Sequence, residues 1–168
     1  MISRGKEMEL IITNKFMSLK GSSYVKDIDQ NDVMLVKGKF FTVTSKKFIK
    51  DLNNNLKFIV RNKFWRLFRY SAYVYDAKRK KVAVIRRKAF SMADHFYVQS
   101  NLGNIEIKGA IFQRDYQIYL NGVEIGSVTK QLSMRESFLL KIDDKFDSYT
   151  FVALVIAIDN INDRRMTN

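Results

Sequence analysis

The chain has 168 residues and a mass of 19.7 kDa, the size of one domain that buries about 70% of its unfolded surface around a single core. A hydrophobic fraction of 46% and an aromatic fraction of 13% exclude a disordered chain, and the absence of cysteine excludes disulfides, thiolate catalysis and thiolate metal sites. The net charge is +13, but the segment from Lys37 to Lys88 holds 17 basic residues against two acids, Asp51 and Asp76, a balance of +15 that leaves −2 for the rest.

Met1 to Leu10 carries Arg4, Lys6, Glu7 and Glu9 and has no signal-peptide core, so a cytoplasmic location is expected. Leu10 to Ile12 reads as a first strand. A basic-Phe phrase then recurs at Lys15-Phe16, Lys39-Phe40, Lys63-Phe64 and Lys88-Ala89-Phe90, with the lysines 24, 24 and 25 residues apart, which implies one repeated unit. Within each unit follows an aromatic-rich strand that ends in or near an acid: Tyr24 to Asp27, Phe48 to Asp51, Tyr73 to Asp76, and Phe96 to Val98. Polar turns come next, at Asp27 to Asp32, Asn53 to Asn55, Lys78 to Lys81 and Asn101 to Asn104, each leading into a second apolar strand. The unit is a hairpin.

Hairpins are predicted at 16–37, 40–61, 64–87, 90–108 and 112–129, with a last one from Leu132, so strands run from about 10 to 142 and number about twelve. Asn121-Gly122 supplies the positive φ angles of a two-residue type I′ turn. So many antiparallel strands must close or stack to hide their edges. The complete absence of proline, which is confined to sheet edges, suits such a sheet, and a base composition poor in proline codons gives the same absence.

Phe151 to Ile158 has no polar face and must be enclosed all round, yet it is far shorter than the roughly 20 apolar residues of a membrane span. Asp143, Asp144 and Asp147 before it, Ser148 as N-cap, and Arg164 with Arg165 after it match a helix dipole. A helix over about 148–162 is predicted, wrapped by the sheet. The fold class is therefore mostly β: a closed antiparallel barrel of repeated hairpins enclosing one C-terminal hydrophobic helix, in a single domain spanning 1–168.

The hairpin period, the segment Gly109-Ala-Ile-Phe-Gln-Arg114-Asp115-Tyr116 and the helix ending Ala157-Ile158-Asp159 resemble the tubby C-terminal-like superfamily over residues of about 15 to 161. Within it the nearest likeness is to small bacterial LURP-one-related proteins, in the branch that includes the phospholipid scramblases. The resemblance implies a twelve-stranded barrel threaded by a hydrophobic helix. It also implies a binding role, since tubby proteins hold phosphoinositide headgroups with basic side chains. Where that pattern has a Trp and a Gly-Asp-Ser-Tyr-like turn, this chain has Leu132 to Phe138, and no headgroup contact matches position by position.

His95 is the only histidine, so a catalytic triad or a two-His metal site is unavailable within one chain. Asp27 to Asp32 begins like a calcium loop but has Asp32 where the glycine belongs and Gly38 where the Glu belongs, and a polar hairpin tip is expected. No glycine-rich phosphate loop is present. No catalytic residue, metal or cofactor is expected.

The candidate anion-binding residues are Lys63, Arg66, Arg69, Lys78, Arg79, Lys80, Lys81, Arg86, Arg87 and Lys88, with Trp65 and Phe68 as aromatic contacts. Cations beside large aromatics suit an anionic membrane surface, and they also suit single-stranded nucleic acid. The expected activity is therefore non-enzymatic docking of a monomer on anionic phospholipid, peripheral to the inner membrane face. Nucleic-acid binding by the same face and a protein-binding scaffold are the alternatives.

Overall fold

The structure is a computed structural model that describes residues 6–13, 21–38, 46–62, 71–88, 93–109, 115–131 and 137–166, with the backbone alone at 163–166. Its strands are β1 (Glu7–Thr13), β2 (Ser22–Asp27), β3 (Asp32–Gly38), β4 (Lys47–Lys50), β5 (Leu56–Asn62), β6 (Ser71–Asp76), β7 (Lys81–Arg87), β8 (His95–Ser100), β9 (Gly103–Gly109), β10 (Asp115–Leu120), β11 (Val123–Gln131) and β12 (Ser137–Asp143). The helix α1 follows, Ser148–Met166.

Every strand pairs antiparallel with its neighbours in sequence, and β1 pairs with β12 through Leu10 opposite Leu140, so the twelve strands close into a barrel with no open edge. The predicted barrel is the observed one. Its strands start later than the predicted hairpins, at residues 22, 47, 71, 95 and 115, and Phe16, Phe40, Phe64 and Phe90 fall outside the described residues.

The repeat has a local cause. Asp27 and Asp76 end β2 and β6 and Asp51 directly follows β4, and each carboxylate accepts the backbone N–H of the residue four ahead: Asn31 at 2.9 Å, Asn55 at 2.8 Å and Lys80 at 2.8 Å. Between them Gln30, Asn54 and Arg79 take left-handed φ angles of 68°, 68° and 63°. The acid therefore closes a tight turn, as an Asx side chain does by mimicking backbone. The Asn121-Gly122 turn has φ angles of 49° and 85°, as type I′ requires, and joins Leu120 directly to Val123.

Inward residues of the strands, among them Ile12, Val36, Ile49, Val60, Val74, Ile85, Phe96, Ile107 and Leu140, form one core cluster with Phe151 to Ile158 and Ile161 of α1. All eleven residues from Phe151 to Ile161 are buried. Period-2 alternation thus lines the cylinder and the helix fills it. The helix is capped by Asp147 rather than by Ser148: the Asp147 carboxylate accepts from the N–H groups of Tyr149 (3.4 Å) and Thr150 (3.0 Å) and from the Thr150 hydroxyl (2.6 Å). It also runs to Met166, past the predicted end at 162. Asp159 and Asn160 are buried in it, and Asn62 Nδ2 of β5 donates to the Asn160 carbonyl at 3.0 Å, so polar groups inside the barrel carry the helix onward.

Candidate functional site

The basic block occupies the end of β3 and all of β4 to β7, which are consecutive in the barrel. A sequence segment is therefore one continuous sector of wall. Lys37, Lys57, Arg61, Lys78, Arg79, Lys80, Lys81, Arg86 and Lys88 are exposed there, while both acids of the segment, Asp51 and Asp76, are half-buried and engaged in their turns. Asn55 hydrogen bonds hold the Asp51 carboxyl below its ordinary range, with Lys57 adding to the effect from 3.3 Å.

Pairing sets these cations around an outward apolar row. Lys37, Phe48, Ile59, Tyr75 and Lys81 stand side by side across β3 to β7, and their sequence neighbours Val36, Ile49, Val60 and Val74 point into the core. Tyr73 faces the same way, 6.3 Å from Tyr75 edge to face, with the Lys81 ammonium 5.4 Å above its ring. At the barrel mouth a groove of about 410 Å³ lies between the turn before β7 and the start of α1, bordered by Lys57, Phe58, Asp76, Lys78, Asp147 and Tyr149. Lys57 stands 5.6 Å from the Tyr149 ring centre. Burial raises the Tyr149 phenol above its ordinary value.

The expected site residues do not form one cluster. Lys78 to Lys81 sit at the hairpin tip, and Arg86 to Lys88 at the opposite end of β7, roughly 20 Å away at 3.3 Å per residue. Arg86 donates to Gln99 Oε1 at 3.0 Å, and Arg87 is committed to Asp94 through bonds of 2.7 and 3.0 Å. Lys63, Trp65, Arg66, Phe68 and Arg69 lie outside the described residues, between Asn62 and Ser71. Lys37, Lys57 and Arg61, all in the basic block, join the exposed wall, and alternation along β3 and β5 was the signal for them.

Of the Gly109 to Tyr116 segment, residues 110–114 lie outside the described residues, and its ends Gly109 and Tyr116 have a structural role. Tyr116 pairs across from Gly109 and its ring occupies the space a Cβ there would fill, 2.7 Å from that position. Its hydroxyl donates to Asp94 Oδ2 at 3.2 Å, and it lines one small pocket together with Ile158, Asp159 and Asn162 of α1, so Tyr116 stands between the wall and the helix. Burial, and then the Asp94 charge and hydrogen bond, push its pKa up to about 12. His95 pairs with Glu106 at 3.0 Å, and the Glu106 carboxyl is held below its ordinary range first by Lys108 and then by His95. Asp143 pairs with Lys145 at 2.7 Å. Among the described residues no group of three or more His, Cys, Asp or Glu could hold a metal ion, and no helix is long and apolar enough to cross a membrane.

A family model described as LURP-one-related matches residues 8–159. Among curated proteins none matches the sequence. Among solved structures, the X-ray structure of a protein from Arabidopsis thaliana is similar, at 15% identity and a TM-score of 0.65 over 93% of this chain and 91% of that one. At that identity the likeness speaks for the fold.

Proposed function

The chain belongs to the LURP-one-related family, and from that premise we propose that it is a non-enzymatic binding module which docks on anionic phospholipid headgroups through the wall of β3 to β7. One observation carries this reading: nine exposed cations share a continuous sector whose two acids are turned into their own hairpins. If five or six of them meet an anionic leaflet at about 1 kcal/mol each, docking amounts to roughly 5 kcal/mol, a transient association. On this reading the protein works as a monomer at the cytoplasmic face of a membrane.

The outward rings of Tyr73 and Tyr75 among those cations favour a second reading, stacking of single-stranded nucleic acid. Co-sedimentation with phosphatidylcholine vesicles containing about a third phosphatidylserine, at about 50 and 300 mM salt, tests the first. Binding at low salt that fades at high salt, and no binding to pure phosphatidylcholine, is expected. Failure to sediment with the anionic vesicles at low salt overturns it, and oligonucleotide binding in its place transfers the wall to nucleic acid.

A further inference from the structure

The mouth of the barrel where the hairpins turn is not uniform, and its edge suggests how the molecule sits on a bilayer. The described exposed aliphatics of large size are Ile28, Leu52, Leu102 and Val123, at 57, 55, 46 and 64% exposure, and all four are at or beside hairpin turns of that one end. Ile28 is followed by exposed Asp29, and Val123 by exposed Glu124; Leu52 and Leu102 have no exposed acid beside them. Those two flank the cationic tip Lys78-Arg79-Lys80, because the β4–β5, β6–β7 and β8–β9 hairpins are consecutive around the barrel. Tips of successive hairpins are two strand spacings apart, about 10 Å. Of the exposed acids at this mouth, Asp29 and Asp32 belong to the β2–β3 hairpin next to that of Leu52, Asp147 borders the groove beside Lys78, and Asp144 lies across the mouth in the β12–α1 connection.

We propose that the protein seats on an anionic bilayer by this edge, with Leu52 and Leu102 entering the headgroup region on either side of Lys78, Arg79 and Lys80. The proposal rests on the lipid-docking reading and adds its orientation. Two aliphatic side chains about 10 Å from a central cationic tip, with polar turn residues between, do not make the continuous apolar patch of a protein interface. A fluid interface accepts each separately, as lysine heads meet phosphates and apolar side chains reach the acyl boundary.

The chain has no native cysteine, so Leu52→Cys, Leu102→Cys and Val123→Cys variants each carry one environment-sensitive fluorophore at a known place. On phosphatidylserine-containing vesicles the labels at 52 and 102 should shift to the blue and brighten several-fold while the label at 123 stays water-like. Leu52→Ser and Leu102→Ser should each weaken vesicle partition by roughly fivefold. Co-sedimentation with water-like labels at 52 and 102, or equal shifts at all three positions, overturns the edge while leaving lipid docking intact. Absence of sedimentation removes both, and a shift with oligonucleotide but not with vesicles overturns the edge in favour of nucleic acid.

Discussion

A Cβ added at Gly109 would lie 2.7 Å from both Cδ1 and Cε1 of Tyr116 and 3.4 Å from the Asp115 carbonyl. Gly109 is not a left-handed residue, so the substitution Gly109→Ala adds a steric penalty rather than a conformational one. The ring has little room to yield, because its hydroxyl is bonded to Asp94, whose own carbonyl accepts the Gly109 N–H at 2.8 Å. Overpacking of this kind costs about 1–3 kcal/mol. At about 2 kcal/mol the melting temperature of a domain this size falls by roughly 4–8 °C. Urea unfolding followed by circular dichroism should place Gly109→Ala about 2 kcal/mol below wild type, and in a Tyr116→Ala background the same substitution should cost less by about 1 kcal/mol or more. Equal costs in the two backgrounds would show that the ring does not occupy the space opposite Gly109.

Tyr116 also sets an alkaline limit. Its folded pKa of about 12 exceeds the ordinary value of 10.0, so its stabilising contribution is complete below pH 10 and is lost between about pH 10 and 12. Discounted for partial exposure, the loss is about 1–2 kcal/mol, and it should vanish from the pH dependence of Tyr116→Phe measured by urea unfolding at pH 8 and 11. Asp147→Ala removes the acceptor of two helix N–H groups and should cost about 1 kcal/mol, read as a lower urea midpoint with an unchanged slope. Leu154, 1% exposed in the middle of the enclosed helix, should cost about 2–5 kcal/mol as alanine; a loss under about 1 kcal/mol by the same measurement would contradict its place in the core.

The architecture was legible because each of its rules is local. Eight apolar residues from Phe151 to Ile158 demand enclosure whatever their surroundings, and Asn121-Gly122 fixes its turn with two residues. The acids at 27, 51 and 76 repeated visibly, but their work, closing turns through the backbone N–H four residues ahead, needed the bulged register that only pairing creates. Ser148 was the expected cap because serine is a common one, and Asp147 takes the position because its carboxylate reaches both N–H groups. The basic block marked one sector of the wall, yet composition is blind to length along a strand. It grouped Lys78 with Arg87, which the seven residues of β7 carry to opposite ends, where Arg87 meets Asp94. Leu102 escaped notice because nothing in sequence ties it to Lys78; closure of the barrel brings their hairpins side by side.

Lipid docking by the cationic wall is tested most directly by vesicle partition as a function of salt for the wild-type protein and for Lys78→Glu/Lys80→Glu, a pair that leaves Arg79 and its left-handed backbone in place. Each lysine near the surface is worth about 1 kcal/mol, so the double variant should bind phosphatidylserine-containing vesicles at least about thirtyfold more weakly, with a shallower decline as salt rises. A variant that partitions as the wild type does, with the same salt slope, would contradict the account.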